Sequence, residues 1–219
     1  MRPAGYRRIE AALEPSTFIR ERLPLLPVPG IPEICLHKAV PASGLGRLAA
    51  ADDGFGSPYW AYYWLGGLAL ARFVLDRPEV VAGRRVLDLG CGSGLVAIAA
   101  AKAGAAAVLA ADIDRYAVAA TQVNADANGV VVEAVHGDLT EGRVPAVDLI
   151  LAGDVFYDPE PAARVMPFLA RCRAAGIEVL VGDPRRAPLP VDRLRGLAEY
   201  RFAETDSGLM RVSEVFAFD

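Results

Sequence analysis

Cysteine and histidine are scarce in this sequence. Its 219 residues include only three cysteines, Cys35, Cys91 and Cys172, and two histidines, His37 and His136. So few and scattered cysteines build no disulfide framework and are typical of a protein in a reducing compartment. No cysteines and histidines stand at the spacing of metal ligands, so the sequence predicts no metal site.

An excess of positive charge is also absent. Lysine and arginine number 23 against 27 aspartates and glutamates, which gives a net charge of −4. A general phosphate-binding surface is therefore not expected, and neither is a nucleic acid partner. With 53% hydrophobic and 23% charged residues the chain is not disordered. Its length suits one packed domain, which we expect to be monomeric.

The sequence lacks an uninterrupted hydrophobic run of membrane-spanning length. Segment 95–111 is mostly apolar, but Lys102 and Gly104 interrupt it, which favours a helix, a glycine stop and a buried strand. The first residues have no hydrophobic region of a signal peptide, and Glu10 and Glu14 are atypical of a transit peptide. We therefore expect a cytoplasmic protein that does not contact a membrane.

Strand-like and helix-like segments alternate from Arg84 onward. Short apolar runs predict strands at 84–90, 105–112, 130–138, 147–154 and 177–183. Longer segments predict helices at 93–104, 115–129 and, despite Pro167, 160–176. This order predicts an α/β fold with a Rossmann-like, doubly wound, mostly parallel sheet covered on both faces. Segments 198–205 and 209–218 predict an antiparallel C-terminal strand pair.

The N-terminal part of the chain is less regular. Segment 7–15 predicts a short helix that Pro15 ends, and the proline-rich segment 21–34 must be mostly extended. A strand is expected at 34–40, and a helix is expected before Pro78. Ordinary core packing is expected for most of the aromatic residues that precede this helix, namely Tyr59, Trp60, Tyr62, Tyr63 and Trp64.

Three alternating glycines follow the first strand of the regular region, in the sequence VLDLGCGSG. Gly90, Gly92 and Gly94 precede a helix, and glycine permits tight turns and the close approach of a ligand. A turn that binds nothing gives the same pattern, and a nucleotide phosphate site would also explain it. The segment is not a G-x-x-x-x-G-K-[ST] phosphate loop. Cys91 is expected to be a small filler, because no histidine can be placed beside it to activate a thiol.

Three acids stand in or after consecutive predicted strands. Asp88 lies just before the glycines, Asp112 ends the next strand and Asp138 ends the third. A carboxylate at Asp88 would repel a pyrophosphate but not a cationic ligand, and Asp112 stands where an acid binds ribose hydroxyls. Helix capping or turn formation explains any one of them alone. Three together favour a ligand site at the carboxyl edge of the sheet.

On these residues the chain resembles the class I S-adenosylmethionine-dependent methyltransferases. VLDLGCGSG is similar to their first motif, AADID to their second, and HGD stands where they contact adenine. The resemblance implies that Gly90 to Gly94 wrap the methionine part, that Asp112 holds the ribose, and that Asp138 and Ile113 contact adenine. The residues that it assigns to the cofactor are Trp64, Asp88, Gly90, Cys91, Gly92, Gly94, Asp112, Ile113, Asp138 and Leu139.

A narrower resemblance comes from segments 58–67, 154–158 and 182–184, which read PYWAYYWLGG, DVFYD and GDP. These are similar to the seven-β-strand protein lysine methyltransferases, and most similar to those of the electron transfer flavoprotein beta subunit. The resemblance implies a methyltransferase domain at 59–219 and an N-terminal extension at 1–58 that faces the substrate. It also implies a protein substrate, the electron transfer flavoprotein beta subunit or a similar protein.

Asp154 and Tyr157 are the predicted catalytic residues. A lysine amine has a pKa of about 10.4 and has to lose a proton before it can accept a methyl group. A carboxylate binds and orients the ammonium, although it also raises the amine pKa. We therefore predict that Asp154 anchors the amine and that Tyr157 orients it. The side chains of Phe156, Trp60 and Trp64 are expected to exclude water around it.

Simpler interpretations exist at the same positions. Asp154 can cap the following helix, Tyr157 can fill a turn, and Asp183 is equally an acid behind the site or a turn residue. A small-molecule N-methyltransferase acting on a nicotinamide-like amine would have the same cofactor site. Two further hypotheses are a cofactor-binding protein without catalysis and a nicotinamide-dinucleotide oxidoreductase.

Overall fold

The computed structural model describes residues 14–52, 54–203 and 209–219. The strands are β1 (Leu25–Val28), β2 (Ile31–His37), β3 (Arg85–Leu89), β4 (Ala107–Asp112), β5 (Glu133–His136), β6 (Leu149–Gly153), β7 (Glu178–Asp183), β8 (Leu194–Ala203) and β9 (Met210–Phe218). The helices are α1 (Pro15–Arg22), α2 (Leu45–Ala51), α3 (Leu65–Asp76), α4 (Leu95–Lys102), α5 (Arg115–Ala127) and α6 (Pro159–Ala174).

Seven strands form one sheet in the order β5-β4-β3-β6-β7-β9-β8. Strands β3 to β7 are parallel, whereas β9 runs antiparallel to both β7 and β8. The predicted fold class is therefore confirmed, including the C-terminal strand pair. From β3 the chain first builds towards β5 and then returns to place β6 on the other side, so β3 and β6 flank the point where strand order reverses.

Both faces of the sheet are covered, because neighbouring side chains of a strand point to opposite faces. Val86 of β3 packs in one buried cluster with Leu70 of α3 and Ile98 of α4. Leu87 of the same strand packs in the other cluster with Phe168 of α6. The central strands β3, β6 and β7 are accordingly buried along most of their length rather than alternating with exposed residues, as expected for a sheet covered on both sides.

The apolar segment 95–111 forms α4 and most of β4, with Gly104 between them. This confirms the predicted helix, glycine stop and buried strand. Across residues 14–52, 54–203 and 209–219, no helix combines the length and the apolar character that a bilayer crossing requires.

The described part of the N-terminal segment contains a helix that the sequence did not predict. Residues 7–13 lie outside the described residues, and Pro15 begins α1 rather than ending a helix. Proline suits the first helical position because its missing N–H would have no helical partner there. The Glu14 carboxylate caps the same end by accepting from the amide of Ser16 at 3.1 Å. The helix then packs through Phe18 and Ile19 in a cluster with residues of α5.

Candidate active site

A cavity of about 1000 Å³ lies at the carboxyl ends of β3, β4, β5 and β6. This is the edge of an open α/β sheet, beside the point of reversed strand order, where ligands bind. Eleven of the twelve predicted site residues line it: Trp64, Asp88, Gly90, Cys91, Gly92, Asp112, Ile113, Asp138, Leu139, Asp154 and Tyr157.

Gly94 is the predicted site residue that does not line the cavity. It lies at the start of α4 with a φ of 80°, and an added Cβ would meet the Thr121 Cα at 2.9 Å. Its role in the structure is the close approach of α4 and α5, which fixes the path of the glycine loop (residues 90–94). Gly94 therefore contributes to the site indirectly, through the packing that positions the glycine loop.

The carboxylate of Asp112 ties the end of β4 to the glycine loop. Its Oδ2 accepts from the amide of Gly92 at 2.9 Å, and its Oδ1 accepts from the amide of Asp114 at 2.9 Å. Burial raises the pKa of the Asp112 carboxyl. An ionised carboxylate has about four acceptor positions, so both oxygens keep capacity for hydroxyls of a ligand.

Asp88 lies below the glycine loop and is almost fully buried. Its Oδ2 accepts from the amide of Ala97 in α4 at 2.9 Å. Burial, with the nearby charge of Asp112, raises the pKa of the Asp88 carboxyl to about 7. A cation in the cavity would favour the ionised form of this group.

The third strand-end acid caps a turn. Asp138 Oδ1 accepts from both the amide and the hydroxyl of Thr140, at 2.8 and 2.6 Å. Its Oδ2 lies 3.9 Å from the Arg164 guanidinium. Ile113 is more than half exposed at the cavity wall, and Leu139 lines the same region. The exposed aliphatic surface of Ile113 and Leu139, beside the Asp138 carboxylate, is suited to binding a flat, partly polar ring of a ligand.

Asp154 is held in an uncommon backbone conformation in the cavity wall. Its φ is 58°, one of two positive values among the described non-glycine residues, the other being that of Arg185. Such a conformation costs free energy and is concentrated at functional positions. Burial raises the pKa of the Asp154 carboxyl, whereas the charge of Arg186 acts in the opposite direction.

The carboxylate of Asp154 contacts the first turn of α3. Its Oδ2 accepts from the amide of Gly67 at 2.6 Å. The helix comes this close because glycines face each other: a Cβ on Gly66 would overlap the Gly182 carbonyl and lie 2.8 Å from the Asp154 carboxylate. Close packing therefore requires glycine at position 66, whereas a Cβ on Gly67 would make only ordinary contacts at 3.7 Å.

Arg186 is a cavity residue that the sequence patterns did not indicate. Its Nη1 lies 2.6 Å from Asp154 Oδ1 and 3.0 Å from Asp183 Oδ2. Its backbone amide also donates to Asp183 Oδ1 at 2.7 Å. Asp183 therefore fills both of its expected roles, a turn residue and an acid behind the site. The signal for Arg186 in the sequence is a basic pair directly after a strand-end Gly-Asp-Pro.

Four exposed aromatic residues border the cavity and form what we call the aromatic rim: Tyr59, Tyr62, Trp64 and Tyr157. The rings of Tyr59 and Tyr157 lie 5.7 Å apart, and those of Tyr59 and Trp64 lie 5.6 Å apart. The Trp64 indole donates to the Tyr59 carbonyl at 3.0 Å. Burial raises the pKa of the Tyr157 hydroxyl, which therefore stays protonated.

Two predictions about the aromatic residues were wrong. Only Trp60 of the five in segment 59–64 is fully buried, stacked on Tyr116 with ring centres 5.5 Å apart. The segment is a surface turn, so one side chain points inward and most of the others face the cavity mouth. Phe156 is also fully buried, but in the cluster against α6 and away from the cavity, so it does not exclude water around an amine.

Two buried residues support the glycine loop. Thr121 of α5 donates its hydroxyl to the Cys91 thiol at 3.2 Å. Burial raises the pKa of this thiol well above its ordinary range. Asn124 of α5 donates to the Ser93 carbonyl at 2.8 Å and accepts from the amide of His37 in β2 at 2.8 Å. The N-terminal extension and the glycine loop thus share one buried amide. No group of metal-ligating side chains is present among the residues that the structure describes.

Solved structures share this fold. The T. thermophilus 16S rRNA N2 G1207 methyltransferase (RsmC), solved in complex with AdoMet and guanosine, aligns with a TM-score of 0.52 and 23% identity. The alignment covers 72% of this chain and 44% of that one. A putative RNA methyltransferase from Pyrococcus horikoshii, PH1948, aligns with a TM-score of 0.51 and 16% identity over 70% of this chain and 82% of that one. At these identities the likeness shows the fold.

Sequence relatives identify the family. A family model described as ribosomal protein L11 methyltransferase (PrmA) matches residues 69–154. The electron transfer flavoprotein beta subunit lysine methyltransferase of Xenopus laevis is 42% identical over 197 residues, which cover 87% of this chain and 80% of that protein. The Danio rerio protein of the same name is 46% identical over 166 residues, which cover 75% of this chain and 64% of that protein. The chain therefore belongs to the family of electron transfer flavoprotein beta subunit lysine methyltransferases.

Proposed function

We propose that this chain transfers methyl groups from S-adenosylmethionine to lysine side chains of the electron transfer flavoprotein beta subunit. The observation that carries the proposal is Asp154, a carboxylate on left-handed backbone in the cavity wall, with the aromatic rim beside it. A carboxylate and aromatic faces together suit a cationic amine. The names of the relatives supply the protein that carries the amine.

The cavity fits S-adenosylmethionine. When bound, this cofactor supplies a methyl group on a positively charged sulfur and leaves as a neutral thioether once the lysine nitrogen has taken the methyl. Asp88 and Asp112 place negative charge where a cationic ligand is favoured, and Asp112 has acceptor capacity for ribose hydroxyls. Ile113 and Leu139 offer an apolar wall for the adenine ring, with Asp138 as an acceptor near it.

Asp154 and Tyr157 would handle the amine. The lysine enters as an ammonium, which Asp154 binds and orients at the end of β6. The protonated Tyr157 hydroxyl can hydrogen-bond the same nitrogen, so that its lone pair points in one direction after the proton has passed to solvent at the exposed rim of the cavity. Holding the reactants in a productive geometry is a large part of catalysis for a direct displacement of this kind.

The aromatic rim would surround the lysine side chain. Its rings can cover the aliphatic part of the chain and face the ammonium, which attracts the negative faces of aromatic rings. A methylated ammonium keeps its charge but loses hydrogen-bond donors, so aromatic faces suit the product as well as the substrate.

The test combines the purified chain, folded electron transfer flavoprotein beta subunit and isotope-labelled S-adenosylmethionine. Mass spectrometry should find labelled methyl groups on lysines of the flavoprotein subunit. Asp154→Asn is the matched control, because asparagine keeps an acceptor for the Gly67 amide and removes the charge. Methylation of nicotinamide without methylation of the protein would instead support a small-molecule N-methyltransferase.

A further inference from the structure

Arg186 forms a bridge between two carboxylates that differ in their access to the cavity. Its Nη1 contacts Asp154 Oδ1 at 2.6 Å and Asp183 Oδ2 at 3.0 Å. The Asp183 side chain is fully buried, whereas that of Asp154 is 12% exposed and lines the cavity. A ligand in the cavity can therefore reach Asp154 but not Asp183.

The cluster of Arg186, Asp154 and Asp183 contains one more negative charge than positive charges. With all groups ionised, two carboxylates and one guanidinium carry a net charge of −1. In the described part of the chain, Arg186 is the cation within ion-pair distance of Asp154 and Asp183. Entry of one ammonium would balance the cluster, whereas an anion or a neutral amide would not.

Asp183 is a second ion-pair partner of Arg186. Its Oδ1 accepts from the Arg186 backbone amide and its Oδ2 from the guanidinium, so the arginine stays anchored if it releases Asp154. An arginine that lost its sole partner would leave a half-buried charge uncompensated, which is costly. The arrangement lets Asp154 exchange cations without such a cost.

We propose that Arg186 is a positioning residue that occupies the ammonium site on Asp154 and shifts onto Asp183 when the substrate lysine enters. This inference rests on the proposed function. With Arg186 nearby, Asp154 still binds the ammonium but holds it less tightly, so the lysine loses its proton more readily. Without Arg186, a carboxylate alone would bind the ammonium more tightly and retain its proton.

Other charges and titratable groups near Asp154 come from several elements. From α3 it receives the amides of Gly66 and Gly67, which carry no net charge. The loop after β7 contributes Asp183 and Arg186, and its own loop contributes Tyr157. Strands β3 and β4 contribute two further acids to the cavity, Asp88 and Asp112.

The decisive variant is Arg186→Gln, with Arg185→Gln as its matched control. Arg185 is the adjacent arginine, but it pairs with Glu214 of β9 and does not line the cavity. Steady-state kinetics on the flavoprotein subunit should show kcat lowered about 10-fold in Arg186→Gln with KM unchanged or lower. The pH at half-maximal kcat should rise by about one unit, which is the same tenfold change expressed as an amine pKa. Arg186→Lys should recover part of kcat, and Arg185→Gln should match the wild type.

A second measurement does not depend on methylation. The probe is n-butylammonium, which reproduces the lysine side chain beyond Cα. In the wild type, saturation with the probe should shift the NMR signals of the Arg186 guanidinium, and Asp154→Asn should abolish that shift. Arg186→Gln should bind the probe about 10-fold more tightly because the carboxylate is no longer shared.

The outcomes separate this inference from the proposed function. If the wild type methylates no lysine of the flavoprotein subunit, the proposed function fails and the probe measurement alone decides the role of Arg186. An unchanged kcat and pH profile in Arg186→Gln would overturn the inference while the function stands. Equal loss of thermal stability, cofactor affinity and kcat without a shift of the pH profile would assign Arg186 a purely structural role. If Arg186→Gln does not fold, Arg186→Lys and the wild-type NMR titration decide.

Discussion

The carboxylate of Asp154 accepts a hydrogen bond from the amide of Gly67, so an acid of the cavity wall also caps α3. The residue at the start of this helix, Trp64, offers no side-chain cap of its own. Amides of a first helical turn have no partners within the helix and need acceptors from elsewhere. Stability and the position of the proposed amine site therefore depend on the same side chain.

Replacing Gly66 with alanine should destabilise the fold. The new Cβ would overlap the Gly182 carbonyl, and since the backbone on both sides of this contact is tightly packed, neither segment can move away easily. We expect a loss of about 1–3 kcal/mol in the free energy of unfolding, measured by chemical denaturation. Gly46→Ala is the control, because Gly46 lies in α2 with nothing within 4 Å of an added Cβ. Equal stability of the two variants would contradict the observed contact between α3 and β7.

Asp112→Asn should weaken cofactor binding more than it weakens the fold. Asparagine can keep one backbone hydrogen bond of the two that Asp112 accepts, but it lacks the charge and the second acceptor oxygen. Since hydrogen bonds to a charged group contribute about 1.5–3 kcal/mol, calorimetry should show roughly 10- to 100-fold weaker binding of S-adenosylmethionine. Glu133→Gln, an exposed acid on β5 outside the cavity lining, should bind as the wild type does.

Cofactor binding should be coupled to the ionisation of Asp88. Burial raises its pKa to about 7, and a cationic ligand lowers it again, so the protein should release protons on binding near pH 7. Affinity for S-adenosylmethionine should therefore rise between pH 6 and pH 8. Calorimetry in two buffers of different ionisation enthalpy measures the released protons. In Asp88→Asn the release should be smaller, and an unchanged release would exclude Asp88 as its source.

The raised pKa of Asp88 also predicts how the stability of the cofactor-free protein depends on pH. Because the folded state holds the proton of Asp88 more tightly than the unfolded state, this group favours folding at low pH. That contribution is fully present below about pH 4 and is lost as the pH rises to about 7, a difference of about 4 kcal/mol. Denaturation curves at several pH values should therefore show Asp88→Asn gaining stability relative to the wild type as the pH rises through this window. A constant difference between the two proteins would contradict the prediction.

Tyr157→Phe should affect turnover more than binding of the cofactor. The change keeps the ring of the aromatic rim and removes the hydroxyl that is proposed to orient the amine. We expect kcat on the flavoprotein subunit to fall about 10-fold or more, as is common for removal of a positioned polar group, with unchanged affinity for S-adenosylmethionine. Tyr200→Phe is the control, since its hydroxyl contacts Asp76, away from the cavity. Loss of cofactor affinity in Tyr157→Phe would place the hydroxyl on the cofactor side.

The sheet was predictable because each strand has a local signal. Apolar runs that end at Asp112 or Asp154 and helices that stop at Gly104 or Gly129 define the alternation without knowledge of tertiary contacts. The glycine loop and the strand-end acids follow from that alternation, because carboxyl ends of parallel strands share one edge.

The contacts across the cavity were not predictable in this way. The contact between Gly66 and Gly182 and the pairing of Arg186 with Asp154 join segments that are far apart in the chain. Which aromatic residues of segment 59–64 face solvent depends on the direction of a short turn, and no periodicity encodes it. The position of α1 depends on Pro15, whose preference for a helix start competes with its ability to end one.

The buried amide of Asn124 has a mechanical consequence. Its nitrogen donates to the Ser93 carbonyl and its oxygen accepts from the amide of His37, so one rigid planar group is bonded to both partners. A displacement of the glycine loop is therefore transmitted to β2 over the width of a single side chain. The Asn124 side chain thus couples the glycine loop of the cavity directly to β2 of the N-terminal hairpin.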